Sequence, residues 1–202
     1  MIPHRATFTS LAVGLSMLLV TSTTVASDTG ASDRSAVSPT AEIERRKDLE
    51  RFALKLLNCN RTGGKIRRNG TCKAYGKGRF SAFRKPLERH RPIGTRVAWP
   101  WVRTMIVENE CKHVLDGYPG VSQRYANAGY AGAAWGENIG CTWGYTPRDM
   151  VIWVSRAFQA EKSDNGGHWR NLKSKSFKSV GIAVAVSGNR ASIVFDFYGK
   201  RP

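Results

Sequence analysis

The chain has 202 residues, with 32 Lys and Arg against 15 Asp and Glu and a formal charge of +17. That length suits one ordinary domain plus processing segments rather than an array of domains. The charge favours anionic surfaces such as wall polymers, acidic lipid head groups or nucleic acid, and says nothing about fold.

The first residues read as a targeting segment. Arg5 supplies a positive start, Leu11 to Val20 an apolar run, and small residues follow up to Ala26. This layout predicts a secretory signal peptide over 1–26, cleaved after Ala26. The apolar run is too short to cross a bilayer as a helix, and no later run comes close, so no transmembrane segment is expected and the mature protein should be exported. Residues 27–40 are rich in Ser, Thr, Ala and Asp, with little to bury, and predict a disordered leader. A single α+β domain is then expected over 41–202. Cys59, Cys72, Cys111 and Cys141 all follow the signal. An even number in an exported chain predicts two disulfides, with three pairings possible. Cys59–Cys72, closing a short loop, and Cys111–Cys141 are the favoured set. No CxxC pair occurs, which argues against a cysteine zinc site.

Within the domain, Leu49, Phe52, Ala53, Leu56 and Leu57 have helical spacing and predict an amphipathic helix over 41–58. Residues 59–94 are Gly-rich and poor in aliphatics. Lys and Arg crowd this segment, with Tyr75, Phe80 and Phe83 interleaved. Basic and aromatic residues together suit a single-stranded nucleic acid, but the export signal disfavours that partner, and a stapled, solvated loop is the simpler expectation. Asn60 and Asn69 stand in N-x-T sequons that matter only in a eukaryotic secretory route. A helix is expected from near Pro100 to the "DGYPG" turn, and a shorter one ending at Gly129. "WGENIG" reads as a short strand. Thr146, Pro147 and Asp149 mark the start of another helix, with Met150, Val151, Val154, Ala157 and Phe158 as its apolar stripe. "SVGIAVAV" and "ASIVFDFYG" flank Gly188-Asn189 and predict a closing hairpin. Helices around a small antiparallel sheet make a layered α+β domain.

Chemical motifs are sparse. There is no GxSxG elbow, HExxH helix, phosphate loop or GxGxxG. "SDN" at Ser163–Asn165 lacks the SxxK and KTG partners of a serine β-lactamase set. His113, Glu137 and His168 remain, each where an element begins or ends.

Five stretches give these residues a context: "LLNCNR", "KHVLDGYPGVSQRYANAGY", "WGENIG", "GHWRNL" and "VGIAVAV…IVFDFYG". Together, from about Leu49 to Gly199, the chain resembles the CAP superfamily (cysteine-rich secretory, antigen five and pathogenesis-related one proteins), with bacterial secreted SCP-like members looking nearest. "GENI" and "GHxxN" in this order form a fairly specific pair. The resemblance implies a three-layer α–β–α sandwich with a central cleft. It makes His113 the first cleft histidine, Glu137 the GENI glutamate and His168 the second histidine, with Asn138 and Asn171 supporting them. It also implies a site for Zn²⁺ or another divalent cation. Its imidazole ligands must be neutral, so such a site weakens below about pH 6. One departure stands out: the register of the second family glutamate, counted from Trp153, falls on Arg156, a cation that would repel a metal. Glu161 is the alternative carboxylate. The basic insertion at about 59–94 also lies outside the family pattern.

Three functions follow as expectations. The first is a secreted, non-enzymatic binding module for an anionic surface or polymer, a lipid or a protein ligand. The second is a metal-dependent, peptidase-like hydrolase with Glu137 as general base on a water held by His113 and His168. The third leaves the cluster as scaffolding.

Overall fold

The computed structural model describes residues 42–202. The expected signal peptide and leader lie outside the described residues. The fold is organised around its closing hairpin. β6 (Ser179–Ser187) and β7 (Arg190–Tyr198) pair antiparallel along their full length through a two-residue turn. Both strands are buried on both faces, so their alternation splits between two cores rather than between core and water. Val180, Ile182, Val184, Ile193, Phe195 and Phe197 enter one core, whereas Ala183, Ala185 and Val194 enter the other. β5 (Trp135–Trp143) pairs with the outer side of β7 and the short β1 (Glu44–Arg45) with β6, giving the order β1-β6-β7-β5 with β5 at one edge.

The larger core is covered by α1 (Lys47–Arg61), α5 (Pro147–Ala160) and α6 (Gly167–Lys173). The opposite face carries the single-turn α2 (Arg91–Ile93), a π-helical turn at Gly94–Ala98, α3 (Trp99–Val107) and, over the β5 end, α4 (Val121–Asn127). This is an α–β–α sandwich. Its helices form because their apolar stripes match the sheet. On α5, Met150, Val151, Val154 and Phe158 point inward, each fully buried aliphatic contributing about 1.5–3 kcal/mol. Thr146 caps α5 by accepting the Asp149 N–H at 3.2 Å, as its sequence predicts. Gly140 on β5 lets α5 settle onto the strand, since a Cβ there would stand 2.5 Å from Val154.

Several boundaries differ from the sequence reading. α1 starts at Lys47 and runs to Arg61, because Glu44–Arg45 form a short strand, β1, on β6. The helix begun near Pro100 stops at Val107 rather than near Gly117, with Asn109 in the left-handed region at φ 53° turning the chain away. "GENIG" belongs to a nine-residue strand. Segment 59–94 is not simply solvated. Ile66 and Leu87 reach the core, and the Asn58 side chain clamps Leu87 by accepting its N–H at 2.8 Å and donating to its C=O at 3.0 Å. The Cys59–Cys72 bridge staples β2 (Lys65–Ile66) and β3 (Cys72–Lys73) to α1, and β4 (Glu88–Arg89) adds a short parallel pairing to β6. Cys111–Cys141 is the second bridge. Asn60 is buried, its amide donating to Ser155 O at 3.0 Å, whereas Asn69 is exposed.

Candidate functional site

Side chains alternate along β5, so Glu137 faces the layer of α3 and α4 while Gly136, Asn138 and Gly140 face α5 and α6. Because β5 is an edge strand, side chains from both helical layers can meet around its rim. The loop after α3 brings His113 there from one side, and the start of α6 brings His168 from the other. The two rings lie 6.3 Å apart between centroids, tilted by 36°. Between them opens a cleft of about 630 Å³ that also includes Trp135, Glu161, Arg170 and Asn171, within the usual size of a ligand site.

Each imidazole is held by a carboxylate through its Nδ1. His113 Nδ1 lies 2.8 Å from Glu137 Oε1, and His168 Nδ1 bonds Glu161 Oε1. Such pairing places the proton on Nδ1 and leaves the lone pair on Nε2, the arrangement that orients metal-ligating or proton-accepting histidines. Phe158 stacks on His168 at 4.4 Å and fixes its plane. The side chain of His113 stays 45% exposed, that of His168 30%.

The two carboxylates differ in their surroundings. Glu161 ends α5 and caps α6, its Oε2 accepting the backbone N–H of His168 at 2.9 Å and of Trp169 at 3.3 Å. Gly166 makes room for it, since a Cβ there would lie 2.5 Å from that oxygen. Partial burial works to raise the Glu161 pKa, but the hydrogen bond and charge of His168 and the two backbone donors outweigh it and hold the group below the ordinary carboxylate value. Glu137 is almost sealed, with 1% of its side chain exposed, and its Oε2 takes a 2.5 Å bond from Arg124. Arg124 is itself clamped. It stacks on Trp101 at 3.8 Å and donates to the carbonyls of His113 and Pro119 at 3.1 Å. Beneath this pair, directly across the β5–β7 ladder from Glu137, sits Asp196. It is fully buried, and its oxygens make no hydrogen bond among the described residues. Burial first and the nearby Glu137 charge second push its pKa well up, with Arg124 opposing them.

The "GENI" and "GHxxN" stretches are physically tied. Asn171 donates to Glu137 O at 3.1 Å and to Asn138 Oδ1 at 2.8 Å, while Asn138 donates to His168 O at 3.1 Å. Thus His113, Glu137 and His168 converge, with Asn138 and Asn171 as the latch between strand and helix. Arg156 does not enter the cleft. It lines a separate groove with Lys65, Phe80 and Lys162, so the repulsion expected from it is absent. Two other cations belong to the site: Arg170, which lines the cleft, and Arg124, which backs Glu137; the sequence reading passed over Arg124, a lone Arg on a short helix beside Tyr125. Asp196 was equally hidden, because alternation along β7 suggests a solvated face that α-helices in fact cover.

The donor set decides what a metal could find here. Zn–N bonds of about 2 Å at a tetrahedral angle bring two ligating rings to about 5 Å between centroids, and the observed 6.3 Å is wider than that. Glu137 and Glu161 are already engaged on Nδ1 atoms. Among the described residues no group of three or more His, Cys, Asp or Glu could hold a metal ion. The donor set therefore offers an ion two imidazoles at most, and does not fit the three-protein-ligand centre of a zinc hydrolase.

No family model matches the chain, and no curated protein matches it. A solved structure similar to it is an extracellular protein containing an SCP domain from Bacillus anthracis str. Ames, 18% identical with a TM-score of 0.45, over 57% of this chain and 34% of that one. The chain thus matches about a third of the length of that protein. Among the described residues no helix is long and apolar enough to cross a membrane.

Proposed function

We propose that the chain is a secreted CAP-type binding module for an anionic extracellular surface, and that its histidine cleft is a recognition site rather than a hydrolytic centre. Support for the family reading comes from the "GENI" and "GHxxN" stretches and from the Asn138–Asn171 latch that joins them. Export is supported by the N-terminal pattern and the two disulfides. The observation that carries the non-catalytic reading is the engagement of both Glu137 oxygens. A general base needs a free lone pair within reach of the water it deprotonates. Here one oxygen faces the His113 Nδ1 and the other a buried guanidinium.

A divalent cation, if the cleft takes one, is held by His113 and His168 through Nε2, with Glu137 and Glu161 orienting the rings. It would supply a positive point for an anionic or hydroxyl-bearing ligand. No step is assigned to it.

The test pairs binding with turnover. Wild type should sediment with isolated anionic wall material, and Glu137→Gln, which loosens the His113 ring, should weaken that binding. Neither protein should cleave peptide or ester panels with or without added Zn²⁺. Zinc-dependent turnover by wild type, abolished in Glu137→Gln with the fold intact by circular dichroism, would establish the hydrolase instead. Failure of wild type to bind any anionic material would remove the module reading.

A further inference from the structure

The positive charge is not spread evenly. Segment 83–88 runs beside the 175–178 stretch that follows α6, and between them lies a groove of about 480 Å³. Six cations line it (Arg61, Arg84, Lys85, Lys175, Lys178 and Arg201) against one carboxylate, Glu88, which Arg201 already pairs at 3.2 Å. The groove lies apart from the histidine cleft, and the two share no lining residue.

Its floor is built from cations that only neutral groups solvate. Arg61 is buried and donates to the carbonyls of Lys85, Leu172, Ser174 and Phe177 at 2.7–3.1 Å. Arg84 donates to Lys173 O and Phe83 O, both at 2.9 Å. Behind them Lys173 donates to Arg61 O, Ser81 Oγ and Ala82 O. Among the described residues none of these three forms an ion pair, so their charge is fixed in place but not neutralised. Burial, followed by the charges of Arg84, Arg61 and Lys162, brings Lys173 down to about 8. Burial and Arg84 bring Arg61 down to about 10. The C-terminal ends of α1 and α6 offset part of this for Arg61 and Lys173, since a helix end carries about half a negative charge. They do nothing for the rim, where Lys85, Lys175 and Lys178 are exposed and have no carboxylate partner among the described residues.

We propose that this groove binds a phosphodiester chain; the inference rests on the anionic-surface reading above and names its docking site. Six cations around one paired carboxylate, over a floor of uncompensated buried charge, are complementary to a string of single negative charges. The free rim groups are lysines, whose compact ammonium meets phosphate oxygens as a point charge and can follow a flexible chain. Phe83, 48% exposed, is the groove's one exposed aromatic. Single-stranded nucleic acid is gripped by a series of rings on which successive bases stack. The groove therefore reads backbone charge and offers no ladder for bases, which favours a base-free wall or lipid-linked polymer.

The test is a salt titration of poly(glycerol phosphate) binding to the whole chain by fluorescence anisotropy. Replacing Lys85, Lys175 and Lys178 by Gln should leave the melting temperature in place, because all three are exposed, and should cut low-salt affinity at least tenfold. The slope of log K against log salt should fall by about 2, since each lost contact on a single-stranded polyanion removes about 0.7. Glu88→Gln frees Arg201 and should tighten binding. Wild-type affinity and slope in the triple variant would overturn the groove while leaving the anionic-surface reading standing. Loss of anionic binding by wild type itself would take both down. Polyglutamate of matched length binding as tightly, with the same loss in the triple variant, would overturn the phosphodiester chain as occupant, and oligo-dT doing so would overturn the base-free polymer.

Discussion

Two buried carboxylates in this molecule have nearly the same coordination and different consequences. Glu50 on α1 is 0% exposed and receives Arg45 at 2.7 Å on one oxygen and Arg89 on the other. Those arginines come from β1 and β4, so the cluster pins two short strands of the sheet to the helix above it. Glu137 is also sealed and also has two partners, but one of them is an imidazole left 45% exposed at a cleft. At Glu50 both partners are permanent cations with nothing further to offer. At Glu137 one partner has a second nitrogen facing solvent. A buried charge becomes a site, rather than a clamp, when its partner keeps a usable atom at the surface.

That contrast can be broken by substitution. Glu50→Gln leaves Arg45 and Arg89 facing each other around a neutral amide and should cost about 3–5 kcal/mol in urea denaturation, the range for removing one side of a buried pair. Arg124→Leu should cost somewhat less, about 3 kcal/mol, because Glu137 retains His113. Its denaturation midpoint should therefore lie between those of Glu50→Gln and wild type. His113→Ala should cost no more than about 1 kcal/mol in a thermal melt, as half-exposed charge partners do, while abolishing any heat of zinc binding in calorimetry. If His113→Ala were as damaging as Glu50→Gln, the two clusters would be the same kind of object and the cleft would be scaffold.

The sequence made the strong periodic elements legible: the Thr146-capped α5, the Gly188-Asn189 hairpin and the strand through "GENIG". In each, local propensity and burial agree. It also pointed to His113, Glu137 and His168, through motifs that the fold brings together at an edge strand. What it hid depends on tertiary context. β1 has two residues and exists only because β6 offers an edge. α6 is seven residues, about two turns, anchored by a cap from Glu161 that lies outside the helix. Glu161 and Arg124 pair with residues 7 and 13 positions away, and each pair joins two different elements across a loop rather than two turns of one helix. Arg156 was suspected from register counting, but the turn of α5 that carries it points at segment 59–94.

The Cys111–Cys141 bridge encloses His113, Arg124 and Glu137 within a covalent ring spanning 30 positions, whereas Glu161 and His168 lie outside it. One jaw of the cleft is thus a closed loop and the other a lever on open chain. Ring closure of that size contributes about 3–4 kcal/mol of chain entropy, and all of it falls on the His113 jaw. The cleft's geometry is therefore coupled to the thiol chemistry of its surroundings: under reducing conditions one half loses its hoop, and the two imidazoles lose their fixed separation.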